Sequence, residues 1–481
     1  MAATRSAIRP LRSDAVISFL TDVEGNLDYF KRFVQRSRVI RFGGAAPAAE
    51  AAELPPLEFR EDVAADGAAA AGAGQARGTG YFVFGGDVCD KGVGDIRIAR
   101  ALTDFKRRYP DRVFLILGNR DVNKLRFTSE LDPAVVADEG GALNDPAYPY
   151  WVEPAKRVTP AAFLAAKQLP NTRVNRLRWM LAETMGAAGT FETRQAELAA
   201  LAGKAPSDVP DEAVLESFVT SVTPGHPDAF MRAYLAHGQL ALVLGPHLFV
   251  HGALTPAALG RVPGHADPIP AVDAWAEALN AWVRAQLDEH AARPRWGPAR
   301  GSDRGGDALM DYGVPGGFGG AGVVYATNLD NGNAVPVPAA VQEYLRAQGV
   351  PSVVCGHVPH GDCPTVIRSD GVRVITADTS YSDMGQPDNR GIAVAEVLLL
   401  ADGAALVHGQ LKDGREIEYR LPPPGAAVGG DPWVGRLLVD GFFVKARLAA
   451  PPHEYLLCKG EGFRLTVKTT TAADLEKAQF L

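Results

Sequence analysis

The sequence predicts an α/β protein in which helices cover a mixed or parallel β-sheet. Three observations carry this. Apolar runs of strand length recur along the chain, as in Val113-Phe114-Leu115-Ile116-Leu117. Helical stretches with one apolar face stand between them. The order strand–helix–strand repeats, which favours parallel pairing through crossover helices. At 481 residues, 47% hydrophobic and 22% charged, the chain is long enough for one large domain with additions, or for two to three domains.

The elements follow in order. A strand over 16–21 leads to Asp22, Glu24, Gly25 and Asn26. A helix over 27–38 places Leu27, Phe30, Phe33 and Val34 on one face. Residues 43–80 are rich in Ala and Gly; 57–60 reads as a short strand and 67–80 as low-complexity sequence. Strand 81–85, helix 95–109 and strand 113–117 complete a βαβ alternation. Residues 127–240 interrupt it with helices over 173–201 and 211–237, where Leu177, Met180, Leu181 and Met185 fall at helical spacing. This insertion either caps the site or is a packing module with no contact to substrate, since insertions emerge from loops at one end of such folds. The alternation resumes at 240–256. A helix over 271–290 carries Trp275, Leu279, Trp282 and Leu287, and the Gly-rich stretch 297–322 reads as a long loop near the site. Strands 352–356, 372–377 and 392–400 close the sheet. Beyond Leu411, turn sequences at Lys412-Asp413-Gly414, Val439-Asp440-Gly441 and Lys459-Gly460-Glu461-Gly462 predict hairpins, with 422–432 as a linker.

Bulk properties narrow the function classes. A formal charge of −7 argues against a general nucleic-acid surface but leaves room for a local basic pocket. No run of about 18 apolar residues occurs, so no membrane span is expected. Cys89, Cys355, Cys363 and Cys458 are scattered without a Cys-x-x-Cys pair, which fits small buried thiols in a reducing, cytoplasmic setting. The first 13 residues hold three Arg and no acid, a composition shared with transit peptides. A strand starting at Val16 leaves little to remove.

The apolar runs also stop at metal-type ligands: Asp22 and Glu24, Asp87 and Asp90, Asn119, His251, and His357. Ligands at strand ends gather on one sheet edge, where open α/β folds place their sites. Gly86-Asp87-x-x-Asp90-x-Gly92, Gly118-Asn119-x-Asp121, His251-Gly252 and Gly356-His357, in that order, resemble the calcineurin-like metallophosphoesterase superfamily. The segment 242–256, with His251-Gly252-Ala253-Leu254-Thr255-Pro256, is similar to the serine/threonine phosphoprotein phosphatase branch. The resemblance covers residue 14 to about 380. It implies a metallophosphoesterase-type β-sandwich of mixed sheets flanked by helices, with core segments 14–126 and 241–411, the mostly helical insertion 127–240 and a small C-terminal β extension over 433–470. It also implies two divalent metal ions. Asp22 and Glu24 would bind the first, Asp87 would bridge, and Asn119, His251 and His357 would bind the second. Such a pair holds a phosphate oxygen and generates a hydroxide nucleophile at neutral pH.

This chain departs from the family pattern in three places. Glu24 stands where relatives carry His, an oxygen-rich exchange that favours Mn2+, with Fe and Mg2+ gaining over Zn2+. Arg120 replaces the His that, paired with the acid at the Asp90 position, donates a proton to the leaving group. Guanidinium stays protonated, so Arg120 reads as a partner of Asp90 or a clamp on phosphate oxygens. His360 falls one residue late for Gly-His-x-His and reads as a displaced ligand, a proton donor or a loop His. Asp90, Arg120 and His360 are thus the catalytic candidates. Lys91, Arg120 and Arg126 are the candidates for substrate phosphate, although charged residues also populate solvated faces. Asp378 is a candidate to orient a ligand His. The resemblance implies a phosphomonoesterase acting on a phosphorylated protein or small molecule, phosphoserine and phosphothreonine included, with no nucleic-acid or membrane partner. A phosphoanhydride or dinucleoside-polyphosphate hydrolase, and a catalytically weak binding or scaffold relative, stand as alternatives.

Overall fold

Ala15–Leu20 is apolar except for Ser18 and is buried along its whole length, because both of its faces are covered. In the computed structural model, which describes residues 8–9, 11–44, 51–69, 76–138, 152–297, 304–379, 393–426, 428–462 and 464–481, it is the middle strand of a seven-stranded mixed sheet. The order is Glu416–Leu421, Ala405–Gln410, Val394–Leu400, Ala15–Leu20, Thr79–Phe84, Val113–Ile116, Gly238–Gln239. Ala15–Leu20, Thr79–Phe84 and Val113–Ile116 run parallel, and Val394–Leu400 returns antiparallel. A six-stranded mixed sheet has the order Ile8–Arg9, Ala241–Leu244, His247–Val250, Ser352–Cys355, Val372–Thr376, Thr365–Ser369.

Strand alternation explains the layers. Ile17, Phe19, Val83, Phe114 and Ile116 of the first sheet share one buried cluster with Leu242, Leu244, Phe249, Val354 and Ile375 of the second. The Phe19 and Phe249 rings meet across it at 5.9 Å. The intervening residues Val16, Phe82, Phe84 and Leu115 point the other way, into a cluster shared with Phe30, Phe33, Ile98, Leu102 and Phe105. Those belong to helices Leu27–Arg36 and Asp95–Arg108. Trp275, Leu279 and Val283 of helix Val272–Ala292 join the same cluster beside Val243 and Leu248. The result is an α/β arrangement of mixed sheets flanked by helices.

Residues 152–237 are mostly helical, in helices shorter than the two expected over 173–201 and 211–237. The expected helix 173–201 is Arg173–Trp179, a π turn Met180–Thr184 and Thr190–Ala202. Gly186 and Gly189 take φ of +57° and +86° in the break, a region glycine enters without a Cβ penalty. The expected helix 211–237 is Asp211–Val222 and Phe230–His237, parted by Pro224-Gly225 and Pro227, which cannot continue a helix. The hairpin turning at 412–414 extends the seven-stranded sheet to Leu421. The last segment forms its own three-stranded sheet, Phe443–Arg447, Tyr455–Glu461 and Arg464–Thr470, followed by helix Ala472–Lys477. Within 297–322 lies a short helix, Asp307–Tyr312.

Several expectations fall on residues outside those described: 1–7 of the Arg-bearing N-terminus, 70–75 of the low-complexity stretch, 139–151 of the insertion, 298–303 of the Gly-rich stretch and 392 at the start of the strand expected over 392–400. All four cysteines are free and buried. Among the described residues, no helix is long and apolar enough to cross a membrane.

Candidate metal centre

The strands Ala15–Leu20, Thr79–Phe84 and Val113–Ile116 of one sheet, and His247–Val250 and Ser352–Cys355 of the other, run parallel within their sheets. Their C-terminal ends deliver the ligand-type residues to one edge. Backbone bonds join the loops there: Asp22 N–H to Gly86 O at 2.9 Å, Glu24 N–H to Asp87 O at 2.9 Å, and Gly356 N–H to His251 O at 2.7 Å. Asp22, Glu24, Asp87, Asp90 and His357 have φ of +50°, +49°, +57°, +116° and +77°. Non-glycine residues are uncommon there, and here they coincide with the sequence-derived site.

Asp87, His251 and His357 bring ligand atoms within 4.8 Å of one another. Asn119 Oδ1 lies 3.2 Å from His251 Nε2, and Asp87 Oδ1 lies 3.5 Å from it. His251 Nδ1 is 2.8 Å from the Gly85 carbonyl, so Nδ1 carries a proton and Nε2 is the nitrogen turned toward Asp87 and Asn119. The Tyr325 backbone also bonds the His357 ring. The close packing requires two glycines. A Cβ on Gly118 would sit 2.0 Å from Asp87 Oδ1, and one on Gly356 2.0 Å from Asp22 Oδ2. One carboxylate, one amide oxygen and two imidazoles form a donor set suited to a divalent transition metal.

The charges are strongly coupled. Burial alone would raise Asp87, but His251, with further help from Arg120 and His357, holds it below the ordinary carboxylate range. Burial opposes a charged His251, yet Asp87 and Asp22 push it up to about 10. Burial, then the His251 charge, pushes His357 down to about 3. Asp22 is pushed up to about 7, by burial first. It accepts the Thr21 hydroxyl at 2.5 Å and the His357 N–H at 3.1 and 3.2 Å.

Glu24 is engaged otherwise. Its Oε1 lies 2.8 Å from Arg120 Nε and its Oε2 2.9 Å from Lys91 Nζ. Arg120 also stands 3.7 Å from Asp87 Oδ2 and 3.4 Å from Asp90 Oδ2, and its N–H donates to Asp87 Oδ1 at 2.8 Å. Lys124 Nζ is 2.6 Å from the same Asp90 oxygen. Asp22, Glu24, Asp87, Asp90, Lys91, Asn119, Arg120, His251 and His357 therefore lie together.

Arg126 and His360 do not join them. Arg126 is 4% exposed and forks onto Glu130 one turn along at 2.7 and 2.8 Å, with Thr184 Oγ1 at 3.0 Å. Its guanidinium is already matched inside the fold. His360 is held by Thr365 and Asn333 at 3.2 Å each, and its carbonyl accepts from Lys445 of the C-terminal sheet. Burial, then Lys445, pushes His360 down to about 3, so it is not an acid near neutral pH. Asp378 is buried beyond the end of strand Val372–Thr376.

Other residues shape the site without having been singled out. The Asp121 carboxylate accepts the N–H groups of Asp87 at 3.0 Å, Val88 at 2.9 Å and Gly118 at 2.8 Å, pinning two ligand loops together. Asp95 accepts the Asp90 N–H at 3.1 Å and pairs with Arg194 at 2.8 Å. Glu197 accepts the N–H groups of Ile96 at 3.0 Å and Arg97 at 3.1 Å, capping a helix whose own Gly94 has no side chain to do so. The Thr190 hydroxyl donates to the Asp90 carbonyl. Thr190, Arg194 and Glu197 all lie on helix Thr190–Ala202, so the insertion braces the Asp90 loop. The Gly-Asn-x-Asp spacing marks Asp121. Nothing local in sequence marks Asp95, Thr190, Arg194 or Glu197.

No protein-family model matches this chain, and no curated protein matches it. Solved structures similar to it include a cold-active protein-tyrosine phosphatase of a psychrophilic Shewanella species, at TM-score 0.39 and 15% identity, covering 85% of this chain and 83% of that one. A protein serine/threonine phosphatase from Saccharomyces cerevisiae matches at TM-score 0.35 and 11% identity, covering 89% and 87%.

Proposed function

We propose that this chain is a metal-dependent phosphoester hydrolase of metallophosphoesterase type. The observation that carries the reading is the convergence of Asp87, His251 and His357, with Asn119 beside them, at an edge walled by Arg120, Lys91 and Lys124. A divalent ion, Mn2+ foremost, supplies Lewis acidity toward a phosphoryl oxygen and a water of lowered pKa. The chain's own residues do the rest. Asp87 and the imidazoles of His251 and His357 hold the cation. Arg120 presents N–H groups to phosphate oxygens and stabilises charge that grows in the transition state. Lys91 and Lys124 raise the local positive potential toward an anionic substrate. Asp90, fixed by Lys124 and Arg120, orients that guanidinium.

Phosphomonoesters, including phosphoserine and phosphothreonine, are the first substrate class. One observation favours leaving groups that need no proton: Arg120, whose guanidinium stays charged, stands beside Asp90 where the resemblance puts a proton-donating His. Phosphoanhydrides and dinucleoside polyphosphates form the second class on that ground. Mn2+-dependent release of p-nitrophenol from p-nitrophenyl phosphate tests the reading. Side-by-side rates on a phosphopeptide and on diadenosine tetraphosphate separate the two classes. No turnover of any of these with Mn2+, Mg2+, Zn2+ or Fe2+ would overturn it.

A further inference from the structure

The motif order implies two ions, yet the side chains offered to them differ in kind. The Asp87, Asn119, His251 and His357 atoms face one another. The Glu24 carboxylate, expected on the other ion, faces two cations: Oε1 lies 2.8 Å from Arg120 Nε and Oε2 2.9 Å from Lys91 Nζ, although Oε2 makes no hydrogen bond. Arg120 lies between Glu24 and Asp87, reaching Asp87 Oδ2 at 3.7 Å. A cation is therefore already seated between the two carboxylates that would have to share the first ion. It is held on its far side by Asp90 at 3.4 Å and by the Gly186 carbonyl at 3.4 Å.

Resting on the function proposed above, we infer that the Arg120 guanidinium takes the place of the first metal ion, so that the centre binds one divalent cation per chain. Two lines support this. A guanidinium offers planar N–H groups at the spacing of two carboxylates and stays charged at all working pH values. A divalent ion on Glu24 would stand against it at close range in a poorly hydrated site, where like charges repel strongly. The exchange of His for Glu at position 24 and of His for Arg at position 120 then belong together: Glu24 is the anchor of the arginine.

The test is metal stoichiometry on the full chain, loaded with excess Mn2+, desalted and measured by elemental analysis, with electron paramagnetic resonance alongside. The parent should bind one Mn2+ per chain and give the resolved hyperfine spectrum of an isolated ion. Arg120→Met should bind two and show exchange-coupled Mn2+, while Arg120→Lys should remain at one. Two ions in the parent would overturn the inference and leave the hydrolase reading standing. One ion in both the parent and Arg120→Met would also overturn it, because the arginine would not be what excludes the second. No bound Mn2+ in the parent would sink the hydrolase reading and this inference with it. Circular dichroism confirms that Arg120→Met is folded, and should it not fold, the count and spectrum of the parent decide alone.

Discussion

Replacing Glu197 by Ala should destabilise the protein and slow it together, though Glu197 touches no ligand residue. Its carboxylate accepts the N–H groups of Ile96 and Arg97 at 3.0 and 3.1 Å, and Arg97 Nε at 3.3 Å, with no solvent exposure. Helix Asp95–Arg108 has no side-chain cap of its own. Truncation leaves two buried N–H groups without acceptors, each worth about 1–3 kcal/mol. It also strips a buried carboxylate from Arg97, a class of change worth about 3–5 kcal/mol. These overlap, so the expected loss for Glu197→Ala is about 3–5 kcal/mol, and for Glu197→Gln, which keeps one acceptor oxygen, about 1–2 kcal/mol. Because Asp95 opens this helix and holds the Asp90 N–H, movement at the helix start displaces Asp90 and its partners Arg120 and Lys124. Turnover of p-nitrophenyl phosphate should fall while Mn2+ content is kept, since no ion ligand is removed. Urea unfolding followed by tryptophan fluorescence gives the stability, and elemental analysis gives the metal. A Glu197→Ala protein within about 0.5 kcal/mol of the parent would refute the capping argument, and full activity would refute the link to Asp90.

Other expectations follow from single contacts. Asp87→Asn should lose bound Mn2+ and turnover together, and retention of the ion by elemental analysis would remove Asp87 from the ligand set. Gly118→Ala places a Cβ 2.0 Å from Asp87 Oδ1, so it should weaken Mn2+ affinity at least tenfold by titration calorimetry, and parental affinity would show that the loops yield. Thr190→Val removes the hydroxyl on the Asp90 carbonyl and should lower turnover while costing about 1–2 kcal/mol in urea midpoint terms; an unchanged rate would confine the insertion to packing. His247 is buried against the Leu400 carbonyl at 2.9 Å, and burial lowers it from 6.5 to about 4. The unfolded chain then binds the extra proton, so this stabilisation is complete above pH 6.5 and is lost as pH falls toward about 4, a change of about 3 kcal/mol. His247→Gln should flatten that part of the stability–pH curve, and an unchanged slope would assign the acid sensitivity elsewhere.

The strands and their ends were legible because each carries its information locally. Val113–Ile116 is apolar throughout and stops at Gly118-Asn119, and the same rule marks His251 and His357. The cores of helices Leu27–Arg36 and Asp95–Arg108 follow from their apolar stripes. Three things were not local. The break at 185–189 passes through Gly186 and Gly189 in left-handed backbone, a conformation that glycine allows but does not dictate. Arg126 and His360 sit close in sequence to ligand loops, but their partners, Glu130 and Thr365, hold them away from the ligand cluster. The role of Glu197 depends on a contact about a hundred residues distant, which no spacing rule encodes. Glu24 shows the converse: its identity was plain, and its partner Arg120 was plain, yet that the two pair emerges only in three dimensions.

The left-handed backbone at Asp22, Glu24, Asp87, Asp90 and His357 has a consequence for selection. Each such residue carries a conformational cost on the order of 1 kcal/mol that a glycine would not. Mutating any of them to Gly would relax the main chain while deleting a working side chain. At Glu24 and Asp90 the loss would strand the buried cations Lys91, Arg120 and Lys124, which outweighs that relief. A library selected only for heat resistance should therefore reach glycine first at His357, which anchors no buried cation, and keep the two acids.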